Sequence, residues 1–139
     1  MIIDRSIVKQ IEYHLYNHEA DIESYSELVD SIANCSSYEL DPTGIRSTGG
    51  SHDKVGELAI RIEHKGEKLK KWIDVVNKTK AHFANTSYLE LIDMVYNKRY
   101  SSMKIQDLLY ISESTFFYWK ENVILYAALK ASEYGLISV

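Results

Sequence analysis

The chain has 139 residues, 45% of them apolar, with one proline, one cysteine and a formal net charge of −4. That length can build one compact domain or two small helical ones, and so little proline favours long uninterrupted helices. A lone Cys35 excludes an internal disulfide framework and fits a reducing compartment. No apolar run is long enough to cross a bilayer, and the Met1–Arg5 start lacks the basic-then-apolar order of a signal peptide. The expectation is a cytoplasmic protein with no membrane partner.

The charge is unevenly spread. Residues 1–60 carry −7, residues 61–80 carry +4 and residues 81–139 carry −1. An acidic front and a basic middle suit a protein whose ends have different tasks, although a lysine-rich helix can equally be a solvated face.

In chain order, Ile7, Ile11 and Leu15 recur at helical spacing between Asp4 and Asn17. A second helix is predicted from near Ala20, with Ile22, Tyr25, Leu28, Val29 and Ile32 as its apolar seam, so that residues 1–40 form an acidic helical hairpin. Asp41-Pro42-Thr43-Gly44 and Gly49-Gly50 mark a glycine-containing loop over 41–52. A long helix is predicted from Asp53 to about Asn85. Its seam of Leu58, Ile62, Gly66, Leu69, Ile73, Val76 and Phe83 is spoiled at Lys80, with Gly66 permitting close approach of a neighbour. That seam can close on the chain's own helices or on a second copy, which makes a homo-oligomer a candidate assembly.

Thr86 or Ser87 then caps a helix bearing Tyr88, Leu91, Ile92, Val95 and Tyr96, which breaks at Asn97-Lys98-Arg99-Tyr100. Ser101 caps the next helix. Ile105, Leu108 and Leu109 are predicted to face a core, Ile111 to plug a corner, Ser112 to cap a further helix, and Phe116 and Trp119 to hold it down. This is the pattern of a helix-turn-helix, with residues 101–121 as the reader and 53–139 as the region that carries it. The second helix runs on until Gly135. No alternating apolar run supports a sheet, so the fold class is all-α: N-terminal hairpin, loop, long helix and C-terminal helix-turn-helix.

The pattern leaves Glu113, Ser114, Phe117, Tyr118 and Lys120 facing outward, where a recognition helix meets the major groove of double-stranded DNA. Lys98, Arg99, Lys104 and Lys120 are the candidate phosphate contacts, and the N–H groups beginning at Ser112 can receive a further phosphate. Gln106 and Tyr110 stand where small residues are usual in such a corner. Glu113 can accept a bond from cytosine's amino group but repels phosphate.

Other chemistry is poorly supported. His14 and His18 have a spacing that can ligate zinc, but no third ligand accompanies them. Gly44, Gly49 and Gly50 lack the lysine-serine ending of a phosphate loop, and no nucleophile-base pattern occurs. Neither an enzyme nor a cofactor is expected.

Ile11-Glu12-Tyr13-His14-Leu15-Tyr16-Asn17, Asp41-Pro42-Thr43, Ala59-Ile60-Arg61, Glu90–Tyr96, Lys98-Arg99-Tyr100, Ile111-Ser112, Thr115-Phe116 and Tyr118-Trp119 occur in an order that resembles one family. It is the ArpU/RinA-type transcriptional regulators of phages and prophages of Gram-positive bacteria. The resemblance covers nearly the whole chain. It implies a C-terminal half like region 4 of sigma factors, and activation of late phage genes by binding a promoter. The family's arginines around the recognition-helix start are replaced here by Glu113 and Ser114, and Phe117-Tyr118 replace part of its basic face. The host RNA polymerase is then a candidate partner, with the acidic N-terminal helices as the contact. Two alternatives stand beside this reading: a small terminase subunit that recognises DNA for packaging, and a helical adaptor that binds protein rather than DNA.

Overall fold

The structure, a computed structural model, describes residues 3–39 and 50–138. All regular structure among them is helical: α1 (Arg5–Tyr16), α2 (His18–Glu39), α3 (Gly50–His82), α4 (Ser87–Ile92), α5 (Ser102–Leu109) and α6 (Glu113–Glu133), with a π-helical turn over Asp93–Asn97. None of these helices is long and apolar enough to cross a membrane. The turn expected at Asp41–Gly44, together with Gly49 and the side chain of Leu58, lies outside the described residues. Residues 50–52, expected in the loop, already belong to α3.

The chain forms two compact units that do not follow chain order. Unit one comprises Met1–His18 and Lys71–Val139, and unit two comprises Glu19–Lys70. The division expected from sequence, at 40 and 53, is therefore drawn differently, because α1 packs against α6.

In unit one, Asp4 caps α1 by accepting the Ser6 N–H at 3.3 Å, and the predicted stripe buries Ile11 and Leu15. Helix α1 ends where the backbone N–H and side-chain amide of Asn17 both bond to the Tyr13 carbonyl, at 3.0 and 2.7 Å. Leu91 and Ile92 of α4, then Val95 and Tyr96 of the π-turn, are buried with Ile105, Phe116 and the Val123–Ala131 face of α6. The end of α6 follows its predicted stop: Gly135 adopts φ +74° and the Leu136 N–H returns to the Ala131 carbonyl at 2.9 Å.

Helix α3 buries the predicted seam only in part. Among its described residues Gly66 and Val76 of that seam are buried, joined by Trp72, Val75 and Thr79, whereas Ile62, Leu69 and Ile73 are only half-buried. The seam had been drawn through aliphatic residues. The largest side chain sets the register instead: Trp72 lies flat on His14 at 4.1 Å between ring centroids. Thr79 is accommodated because its hydroxyl donates to the Val75 carbonyl at 2.8 Å.

Unit two pairs parts of α2 and α3. Tyr25 approaches Gly66, and a Cβ built there would meet the ring at 3.9 Å, an ordinary contact, so the approach does not require glycine. The α2 seam is less enclosed than its periodicity implied: Ile22 and Val29 are each 45% exposed.

Candidate nucleic-acid interface

The interface is built by α5, a three-residue turn and α6, all within unit one. Ser101 starts α5 by accepting the Lys104 N–H at 3.2 Å, and Ile105 is fully buried beneath it. Leu109 and Ile111 pack against the core as expected. Leu108 corrects the reading, being 47% exposed. The buried side of α5 is centred on Ile105 and tilts toward half-buried Ser102 and Gln106, which turns Leu108 outward.

The turn is left-handed at Tyr110, with φ 55° and ψ 46°. A side chain other than glycine pays on the order of 1 kcal/mol or more there, and the Tyr110 ring, 94% exposed, makes no compensating packing of its own. The flanks hold it in place. The Ile111 N–H bonds to the Gln106 carbonyl at 3.1 Å, and the Ser112 hydroxyl accepts the Thr115 N–H at 3.2 Å while meeting the Thr115 hydroxyl at 3.0 Å. Phe116 is buried and fixes α6, while Trp119 is half-buried and tilted against Tyr88 at 5.0 Å.

This geometry leaves Glu113 and Ser114 exposed in the first turn of α6, with Phe117 and Tyr118 at 52% and 62% exposure. Glu113 at a helix N-terminus is favourably placed for the helix dipole, which accounts for an acid at this position in folding terms alone. Lys120 is a correction. It is not a free cation but an ion-pair partner of Glu12 on α1 at 3.4 Å, with about a quarter of its side chain exposed. Beside this pair an open groove of about 460 Å³ lies between α1 and α6, walled by Ile3, Val8, Phe117, Ile124 and Leu125.

The remaining cations gather around two tyrosines. Lys104 lies 3.9 Å above the Tyr100 ring and Lys98 lies 5.8 Å from the same centroid. Arg99, itself left-handed at φ 56°, sits 5.3 Å over Tyr16 of α1. Lys98 also meets Asp93 at 3.5 Å, but both side chains are roughly half exposed, so water screens the pair. Sequence reasoning chose these cations and missed what orders them. The signal was the tyrosine directly after Lys98-Arg99, four residues before Lys104.

The two histidines with zinc-like spacing have separate surroundings: His14 stacks on Trp72, and His18 Nε2 meets Asn77 Oδ1 at 3.0 Å. Among the described residues no group of three or more His, Cys, Asp or Glu side chains is placed to hold a metal. The most perturbed group nearby is Tyr96. Burial pushes its phenol well above the ordinary value of 10.0, and the Glu12 carboxylate adds to the shift by disfavouring a phenolate. Its hydroxyl lies close to the Glu12 carboxylate, but makes no hydrogen bond of good geometry among the described residues.

No family model, curated protein or solved structure matches this chain.

Proposed function

We propose that this protein binds double-stranded DNA through a helix-turn-helix formed by α5, the 110–112 turn and α6, and that it regulates transcription. The observation that carries the reading is the turn. Tyr110 takes up the left-handed corner, Ser112 caps α6, and buried Ile105 and Phe116 hold the helices from behind. The N-terminal turns of α6 then stand clear of the core, as a helix must to enter a major groove. Glu113, Ser114, Phe117 and Tyr118 would meet base edges, Glu113 through cytosine's amino group and the aromatic pair through thymine methyls. Lys98 and Lys104, held beside one tyrosine ring, would neutralise backbone phosphates, with Arg99 flanking them. Lys120 would join them only by leaving Glu12. Activation of phage late genes, and contact with the host RNA polymerase, extend this proposal through the family resemblance.

A protein-binding adaptor is the second reading, favoured by one observation. Met103, Leu108, Tyr110, Phe117 and Tyr118 are all large and exposed around the same two helices, and exposed apolar clusters mark protein contacts. Salt separates the two readings. Binding of a random-sequence duplex and of DNA from upstream of the gene, measured at two salt concentrations, should weaken steeply as salt rises if phosphates are neutralised. Absence of any DNA binding at low salt would favour the adaptor.

A further inference from the structure

Every buried apolar side chain among the described residues belongs to unit one. Of the described positions within Glu19–Lys70, only Asp21 and Gly66 are buried. Ile22 and Val29 on α2 remain 45% exposed, and Tyr25, Leu28, Ile32, Ile62 and Leu69 are only half-buried. A pair of helices derives most of its stability from packing an apolar face rather than from helix propensity. These two pack against one another without enclosing that face.

Between Glu19 and Ala33 the charges of α2 are all acidic, whereas on α3 bases predominate beside exposed Glu57, Glu63 and Glu67. Glu19, Glu23, Glu27 and Asp30 recur at steps of four, four and three, forming one exposed acidic stripe on α2 with no lysine or arginine between Glu19 and Ala33. Arg61, Lys65 and Lys68 recur at steps of four and three on α3, forming an exposed basic stripe of the same pitch. Among the described residues no ion pair joins any of these seven side chains to a partner. The acidic stripe borders the exposed edge of Ile22 and Val29.

We infer that unit two is an assembly surface for a second copy of this chain, the acidic stripe of α2 in one copy lying along the basic stripe of α3 in another. A second copy is the occupant these observations select, because the unit carries both complementary stripes and no ion pair among the described residues engages either. Assembly would place Ile22 and Val29 in the interface, and the flanking charges would fix which helices meet. The inference does not depend on what α5 and α6 bind.

Charge swapping in the full chain, read by sedimentation at tens of micromolar, tests it. The wild type should self-associate, more weakly as salt rises. A variant with E23K, E27K and D30K and another with R61E, K65E and K68E should each dissociate about a hundredfold or more more readily, since each sets like charges against each other. An equimolar mixture of the two should associate again, and one chain carrying all six changes should self-associate. Circular dichroism guards against unfolding: a variant that loses helicity alone should regain it in the mixture, and failure to regain it overturns the inference. A wild type that stays monomeric also overturns it, as does association that neither swap alters. So does a basic-stripe variant whose only defect is weaker binding to a random-sequence duplex, which would assign α3 to DNA instead.

Discussion

Unit one and unit two are both helical, yet they use their apolar residues in opposite ways. In unit one Trp72, Leu91, Ile105 and Val123 are at most 2% exposed. In unit two the described aliphatic residues are half-buried or exposed, although the α2 seam is as regular in sequence as that of α1. Periodicity reports which face of a helix is apolar, and not how much covers it. The difference teaches where to look for each function: a rigid body can present a reading helix, whereas an unfinished apolar face calls for another molecule.

The largest effect should come from the core of unit one. Trp72→Ala should cost about 3–5 kcal/mol, seen as a large fall in melting temperature at every protein concentration. Ile22→Ala, in unit two, should cost much less in dilute solution, with a deficit that grows with concentration if a second copy covers it. Equal, concentration-independent losses would erase the contrast between the units.

Within unit one, the neighbours Phe116 and Phe117 divide packing from presentation. Phe116→Ala should destabilise by about 3 kcal/mol, whereas Phe117→Ala and Tyr118→Ala should change stability by no more than about 1 kcal/mol and weaken DNA binding. Thermal melts beside binding isotherms check this, and comparable melting losses in all three would reverse the assignment of faces on α6.

Much of unit one was legible because its signals are local. Ser101 and Ser112 cap helices where their side chains fall in sequence, and Gly135 ends α6 for the same reason. Most of what escaped depends on partners far along the chain. Trp72 displaced Ile73 because His14 offers it a ring, and Lys120 left the list of free cations because Glu12 lies beside it in space. Leu108 turned outward because the tilt of α5 is set by what it packs on. The approach of Lys104 and Lys98 to Tyr100 was missed although its signal is local, the ring standing directly after Lys98-Arg99 and four residues before Lys104.

Smaller effects sharpen the same picture. Tyr96→Phe removes a buried hydroxyl whose approach to Glu12 falls short of good hydrogen-bond geometry, so stability near neutral pH should change by no more than about 1 kcal/mol. The difference should widen in alkali. The folded phenol holds its proton above the ordinary pKa of 10.0 while the unfolded chain releases it, so wild-type stability should fall as pH rises beyond 10. The Phe variant should lack that part of the fall in melts taken across pH 9–11. Identical alkaline profiles would show that Tyr96 is not enclosed as described.

The smallest expected change is at Glu12. Its partly exposed pair with Lys120 should contribute no more than about 0.5 kcal/mol, so Glu12→Gln should barely alter melting. By freeing Lys120 it should raise affinity for a random-sequence duplex, and a fall in that affinity would return Lys120 to a purely structural role.

The central claim is that the exposed face of α5 and α6, with its cations on Tyr100 and Tyr16, meets DNA. The most direct measurement compares wild type with a Lys98, Arg99 and Lys104 triple alanine variant on one duplex from upstream of the gene across a salt series. Each lost phosphate contact should lower the slope of log affinity against log salt by about 0.9. The account predicts a weaker and clearly shallower line for the variant, with folding intact. Two superimposable lines, at the same affinity, would contradict it.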